Sequence, residues 1–273
     1  MLRSAGLVLS ILVVSLGVIG VFFGDRLIFF PEARGDWEAA RRSRHPIEEV
    51  TLKAPDGVAL FSWHLRVPTP RCTVLFFHGN AGNITDRIDV LQTLGRIGAD
   101  VFLLGYRGYG RSAGRPSERG FTLDAETAYR HLTETSGVPP SRLLLYGESL
   151  GGGPAIDLAS KRPCAGLILQ SPFTSIRDMA ARVLPLFPIH WFLRSKFDNL
   201  RKIGSVAAPK LFFASRTDEV VAYEQTRRLY EASGGARRWV EFDGCGHNDL
   251  HARHEAEWAE AVSKFIDLCC GVR

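Results

Sequence analysis

The chain has 273 residues, 45% of them apolar, and a formal net charge of +5. That length fits one domain of about 250 residues with a short appendage, and the apolar content is ample for a core. Basic residues are spread along the chain with no basic stripe interleaved with aromatics, which excludes nucleic acid as a partner. The five cysteines have no framework spacing, so mostly free thiols and a reducing compartment are expected.

Residues 4–24 carry no charge and are dense in Leu, Val, Ile and Phe. Such a run can cross a bilayer core of about 30 Å as a helix. The rival is a cleaved signal peptide. Against it, the only charged side chain ahead of the run is Arg3, the run is long, and Leu27-Ile28-Phe29-Phe30-Pro31 is apolar where a cleavage region should be polar. An uncleaved anchor at 1–24 is expected, with the lipid bilayer as its partner. Arg3 and the α-amine place the N-terminus inside and the rest outside. Arg26, Arg34, Arg41, Arg42 and Arg44 argue the reverse on a positive-inside count. Residues 25–46 read as a polar, basic linker and 47–273 as one domain.

Beyond the linker, strands and helices alternate. Strands are expected at 48–53 and 59–66, a hairpin around Pro55-Asp56-Gly57. Further strands fall at 73–77, 101–104, 143–146, 166–170, 211–214 and 239–242. Helix-length segments lie at 85–97, 117–135, 150–161, 223–232 and 252–268. This alternation calls for an α/β fold with an eight-stranded, mostly parallel sheet and helices on both faces.

Candidate chemistry gathers where strands end. The third strand runs into His78-Gly79-Asn80-Ala81-Gly82-Asn83, where Gly79 lets the backbone turn closely. The fifth strand runs straight into Gly147-Glu148-Ser149-Leu150-Gly151 and then into a helix. G-x-S-x-G alone is weak, and the chain holds a second match, Gly110-Arg111-Ser112-Ala113-Gly114. Loop residues and Arg115-Pro116 flank that copy, so Ser112 reads as a loop serine. Ser149 sits where a strand turns directly into a helix. That is the nucleophile-elbow arrangement, whose tight turn needs flanking glycines.

A serine hydroxyl needs a base near neutral pH, and the base needs an orienting acid. The expected order after the nucleophile is acid, then histidine. Asp218 follows the 211–214 strand and His247 the 239–242 strand. Asp218 is assigned as orienter and His247 as general base. Asp218 has an alternative role as N-cap of a helix starting near Ala222. Asp243 stands only four residues before the histidine, and Asp198 falls in a surface insertion. Ser171 ends the 166–170 strand, where no acid stands. His247, His251 and His254 have spacings a metal site could use, but no cysteine or carboxylate cluster completes one. No metal and no organic cofactor is expected. Oxyanion donors are expected from the backbone N–H groups of Leu150 and Asn80, with Ala81 the alternative by one position. His78 precedes the nucleophile and reads as holding its own loop.

Residues 174–204 read as a small cap insertion containing Leu184-Pro185-Leu186-Phe187-Pro188-Ile189-His190-Trp191-Phe192-Leu193. The plain expectation is one extra packed helix. The sharper one is an apolar acyl-chain site or a membrane-touching lid. In that case Phe187→Ser and Trp191→Ser selectively reduce turnover of long-chain esters.

The segments His78 to Asn83, Tyr106 to Ser112, Pro116-Ser117-Glu118, Gly147 to Gly152, Ser171 to Ser175 and His247-Asn248-Asp249 together resemble the α/β-hydrolase superfamily. More narrowly, they resemble the single-pass membrane branch that includes α/β-hydrolase domain-containing protein 13 and its bacterial counterparts. Protein-depalmitoylating hydrolases are a more distant cousin group. The resemblance covers roughly 50–265 and implies an α/β-hydrolase fold. It further implies a membrane-anchored serine hydrolase with Ser149, Asp218 and His247 as triad. Its substrate would be a small acyl ester or thioester, and its position the outer side of the membrane. Gly105 departs from the pattern, since relatives often carry an acid before Tyr-Arg-Gly; this touches loop packing only. A serine peptidase or amidase of the same fold and a catalytically silent binding protein are the alternatives.

Overall fold

Successive residues of a strand point to opposite faces of its sheet, and in the central strands here both faces are apolar. In β3 (Cys72–Phe77), Leu75 and Phe77 enter one core while Val74 and Phe76 enter another. The split recurs in β4 (Ala99–Leu104), β5 (Leu143–Glu148), β6 (Gly166–Gln170) and β7 (Lys210–Ser215). Burial on both faces is why these strands read as continuous apolar runs.

The structure is a computed structural model and describes residues 24–183 and 193–271. Its sheet has eight strands in the order β1-β2-β4-β3-β5-β6-β7-β8, where β1 is Ile47–Lys53, β2 Ala59–Leu65 and β8 Arg237–Phe242. β1 and β2 form the expected antiparallel hairpin, β2 pairs antiparallel with β4, and the remaining pairings are parallel. The expected eight-stranded, mostly parallel sheet is therefore present.

Helices connect the strands. They are α1 (Ile88–Arg96), α2 (Glu118–Arg130), α3 (Gly152–Ala159), α4 (Ile176–Val183), α5 (Asn199–Ile203), α6 (Tyr223–Ala232), α7 (Leu250–Arg253) and α8 (Glu255–Cys270). Ser117 caps α2 by accepting from the Gly120 amide at 3.1 Å. Asn83 and Asp86 form a capping box on the short turn ahead of α1. The single helix expected at 252–268 is interrupted at His254. Its ring donates to the Asp243 carbonyl at 3.0 Å, and its backbone leaves the helical region.

The expected anchor lies outside the described residues apart from Gly24, and so does the apolar stretch 184–192. Among the described residues no helix is long and apolar enough to cross a membrane. Residues 25–46, expected as a linker, instead pack on the sheet domain. Phe29 is buried, with its ring 5.1 Å from that of Phe121 and 6.2 Å from that of Phe197. Trp37 meets the rings of Phe61 and Trp63 edge-on at 5.6 and 6.1 Å. Burial of one such side chain contributes about 1.5–3 kcal/mol. The segment reads as a linker because it is rich in Arg and other charged residues, while its few anchoring side chains follow neither a helical nor an alternating period.

Candidate active site

β5 delivers the Gly147–Gly151 turn. Ser149 has φ +51°, a left-handed conformation that costs on the order of 1–3 kcal/mol for a residue with a Cβ. The turn leaves no room beside it. A Cβ on Gly147 would lie 2.7 Å from Gly152 Cα, and one on Gly151 2.0 Å from the Phe77 carbonyl oxygen. The serine of the second match does different work. Ser112 Oγ accepts from the Phe61 amide and donates to the Gly105 carbonyl, each at 2.8 Å, tying its loop to β2. A Cβ on Gly105 would meet the Phe61 carbonyl oxygen at 2.1 Å, so β2 fills the space an acidic side chain would need there.

Three residues far apart in sequence meet at the elbow. Ser149 Oγ is 2.8 Å from His247 Nε2, and His247 Nδ1 is 2.7 Å from Asp218 Oδ2. Ser149 and His247 are each 8% exposed, so little of the line meets solvent. The other carboxylate oxygen, Oδ1, accepts from the amides of Val220 and Val221 at 2.9 and 2.7 Å. Asp218 thus does not cap α6, whose N-cap is Ala222. Burial pushes the Asp218 carboxyl up, but the hydrogen bond and charge of His247 and the Val221 amide outweigh it. The carboxyl ends below its ordinary value and stays ionised near neutral pH.

The loops carrying Asp218 and His247 are fastened to each other. Glu219 Oε2 accepts from the His247 amide at 3.0 Å. The Cys245 carbonyl accepts from the Thr217 hydroxyl at 2.7 Å and from Ser215. Sequence reasoning passed over Glu219; its one signal is its place beside the acid in a strand-end loop. The rival residues lie elsewhere. Asp243 is exposed beside Arg216, and Asp198 caps α5 by accepting from the Arg201 amide at 3.2 Å. His251 packs edge-on against Trp258 at 5.0 Å, and His254 holds the Asp243 carbonyl, so the three histidines diverge. Among the described residues no group of three His, Cys, Asp or Glu is placed to hold a metal ion.

The Gly79-Asn80-Ala81 loop passes the serine, and all three residues share a cavity with Ser149 and Leu150. Three hydrogen bonds hold the Asn80 side chain. Its Oδ1 accepts from the Phe30 amide at 3.1 Å and the Tyr109 hydroxyl at 2.8 Å, and its Nδ2 donates to the Ile28 carbonyl at 2.7 Å. His78 is buried with Nδ1 donating to the Gly79 carbonyl at 2.8 Å. Burial lowers its ring pKa to about 3, so it is neutral and turned to its own loop. Beside Gly79 lies an ion pair that sequence reasoning missed. Arg87 Nε meets Glu148 Oε2 at 2.8 Å, both side chains being 14% exposed. These partners stand 61 positions apart, so no local pattern announces them.

The cavity holds about 470 Å³, within the range for small-molecule sites. The polar residues Asn80, Arg87, Glu148, His247 and Asn248 accompany Ser149 on its wall. The rest is mainly apolar: α4 contributes Ile176, Met179 and Val183, and the N-terminal segment Leu27, Ile28 and Phe30.

Comparisons with known proteins bear on the family of the chain. A family model described as serine aminopeptidase, S33, matches residues 68–203. An uncharacterised protein of Mycobacterium tuberculosis is 34% identical over 268 residues, covering 97% of this chain and 95% of its own length. Alpha/beta hydrolase domain-containing protein 17C of Xenopus tropicalis is 34% identical over 237 residues, covering 85% of this chain and 74% of its own. Protein bem46 of Schizosaccharomyces pombe is 36% identical over 217 residues, covering 74% and 71%. Among solved structures, an esterase of Pyrococcus furiosus superposes with a TM-score of 0.76 at 19% identity, covering 89% of this chain and 99% of that one. A likeness at that identity speaks to the fold alone. Sheet order, the left-handed serine between two sterically required glycines, and these relatives point the same way: the chain belongs to the α/β-hydrolase superfamily.

Proposed function

We propose that this α/β-fold hydrolase is a serine hydrolase that cleaves carboxylic esters or thioesters through an acyl-enzyme on Ser149. The observation that carries the reading is the hydrogen-bonded line Asp218–His247–Ser149, with distances of 2.7 and 2.8 Å, at a largely apolar cavity. Ser149 Oγ attacks the carbonyl carbon as His247 Nε2 takes its proton. The backbone N–H groups of Leu150 and Asn80 hold the resulting oxyanion. On collapse the acyl–heteroatom bond breaks, and His247 gives its proton to the departing alcohol or thiol. Water then attacks the acyl carbon, His247 takes its proton, and Ser149 leaves as the free hydroxyl. Asp218 keeps Nδ1 protonated and stabilises the imidazolium. No cofactor enters these steps. Turnover of p-nitrophenyl esters that disappears in Ser149→Ala supports the reading; full turnover in that variant overturns it.

A second reading is peptide or amide cleavage, favoured by the family model's description as a serine aminopeptidase. The apolar cavity weighs towards acyl substrates. Comparing p-nitrophenyl esters with aminoacyl p-nitroanilides separates the two. The silent-scaffold reading loses ground to the complete hydrogen-bonded line.

We also infer that residues 4–24 anchor the chain in a membrane with the hydrolase domain on its outer side. The support is the uncharged apolar run preceded by Arg3. The protein should then resist carbonate extraction from membranes, and protease added to the outer face should reach the domain. Release by carbonate, or protection from that protease, contradicts the anchor and the orientation respectively.

A further inference from the structure

The segment from Gly24 to Arg34 is bound to two parts of the site at once. On one side it docks on the loop after β3. Asn80 takes the Phe30 amide at 3.1 Å and gives to the Ile28 carbonyl at 2.7 Å. Pro31 pairs with Gly82 as a parallel bridge. Asn83 Nδ2 donates to the carbonyls of Glu32 and Arg34 at 3.0 and 2.7 Å. On the other side the segment meets the chain returning from the insertion between β6 and β7. Asp25 Oδ1 accepts from the Ser195 hydroxyl at 2.7 Å, and the Phe29 ring lies 6.2 Å from that of Phe197. Between these contacts Leu27 and Phe30 line the cavity while remaining 55% and 59% exposed.

The loop it docks on contains two glycines. Gly79 and Gly82 give it backbone freedom, and Gly82 uses a left-handed φ of +76°. A donor aimed at an oxyanion works only if its direction is fixed before the reaction. Asn80 is the residue whose side chain closes that freedom, because its amide is held from two directions. The N-terminal segment holds it from one, and the Tyr109 hydroxyl, 2.8 Å from Oδ1, from the other.

We propose that residues 24–34 are a positioning element of the active site: they fix the direction of the Asn80 backbone through its side chain and form one wall of the acyl cavity. The site is complete only with this segment docked. The inference rests on the assignment of Ser149 as nucleophile and of the loop as oxyanion donor. It goes beyond both by making the segment that joins the proposed anchor to the domain part of the reaction geometry.

The test uses the full chain in detergent with p-nitrophenyl butyrate and p-nitrophenyl laurate, the rate of fluorophosphonate labelling, and thermal melting. Asn80→Ala removes the three side-chain bonds but keeps the backbone N–H. The expected result is a kcat on butyrate lowered roughly 10- to 100-fold, with KM within about twofold and labelling slowed in parallel. Tyr109→Phe, which loses one hydroxyl and keeps its ring, moves kcat in the same direction by less, and decides the matter if Asn80→Ala does not fold. Phe30→Ala keeps the amide to Asn80 and trims the wall. It should lower the ratio of laurate to butyrate kcat/KM by about tenfold, since a bound laurate chain would cover this exposed ring. If Asn80→Ala and Tyr109→Phe melt lower but keep wild-type kcat and labelling rate, the segment only stabilises the fold and the positioning role is wrong. An unchanged chain-length ratio in Phe30→Ala removes the wall. Turnover surviving in Ser149→Ala is a separate failure, of the nucleophile assignment.

Discussion

Gly151→Ala would bring a Cβ closer to backbone than alanine at any other described glycine. The new Cβ would stand 2.0 Å from the Phe77 carbonyl oxygen, 2.6 Å from its carbon and 2.7 Å from the His78 carbonyl oxygen, where ordinary contact begins at 3.4 Å. All three atoms belong to the backbone at the end of β3, and β3 is pinned on both sides by parallel pairing with β4 and β5. No side-chain rotation relieves the clash, so the elbow itself must retreat. Overpacking of this kind costs about 1–3 kcal/mol, which for a domain of this size lowers the melting temperature by roughly 2–12 °C. The catalytic cost is larger. Ser149 Oγ sits 2.8 Å from His247 Nε2, and a misplacement of about 1 Å reduces rate on the order of 100-fold. The assay is kcat/KM on p-nitrophenyl butyrate together with the fluorophosphonate labelling rate, at a temperature where circular dichroism shows the variant folded. Both rates should fall by about two orders of magnitude. A variant within about threefold of wild type, with an unchanged melting curve, refutes the steric account of the elbow.

Three other outcomes follow from the same geometry. Asp218→Asn keeps the shape but removes the acceptor that fixes the His247 tautomer, so kcat should drop by about 10⁴ with little change in melting; a loss under about tenfold contradicts the orienting role. His64 and His78 are held neutral, with pKa values of about 3 for each, by burial and then by the charges of Arg66 and Arg87 respectively. The unfolded chain titrates them near 6.5, so their contribution is complete above that pH. It is lost as pH falls towards 3, by up to about 1.4 kcal/mol per pH unit for each. Urea midpoints should therefore decline between pH 6.5 and 4.5, and more shallowly in His64→Phe; equal slopes in both proteins refute this. Met179→Trp narrows the apolar end of the cavity and should selectively reduce turnover of long-chain p-nitrophenyl esters; a parallel loss on butyrate and laurate contradicts the acyl-chain assignment of that wall.

Most of the sheet is legible in the sequence because its central strands are buried on both faces. Runs such as Leu143-Leu144-Leu145-Tyr146 have no competing reading once a glycine-rich turn and a helix follow them. Candidate site residues could be picked for the same reason: Ser149, Asp218 and His247 each stand just past such a run, and the structure brings them within hydrogen-bond distance. What escapes the sequence is contact between distant segments. Phe29 packing on Phe121, Asn80 binding the backbone of Ile28 and Phe30, and Arg87 pairing with Glu148 depend on neighbours 50 or more positions away. No local period encodes them. The break at His254 is of the same kind, since a carbonyl from the loop after β8 draws the ring away from an otherwise helical pattern. Glu219 was passed over because its partner is a backbone amide, and backbone partners leave no mark in a sequence.

The central claim is that Ser149 forms the acyl-enzyme. The most direct measurement is reaction of the full chain with a fluorophosphonate, location of the adduct by peptide mass spectrometry, and ester turnover of wild type beside Ser149→Ala. The account predicts one adduct, on the peptide containing Ser149, and a variant that is folded, unlabelled and inactive. An adduct on Ser112 or any other residue, or a Ser149→Ala protein that still turns over ester at the wild-type rate, contradicts it.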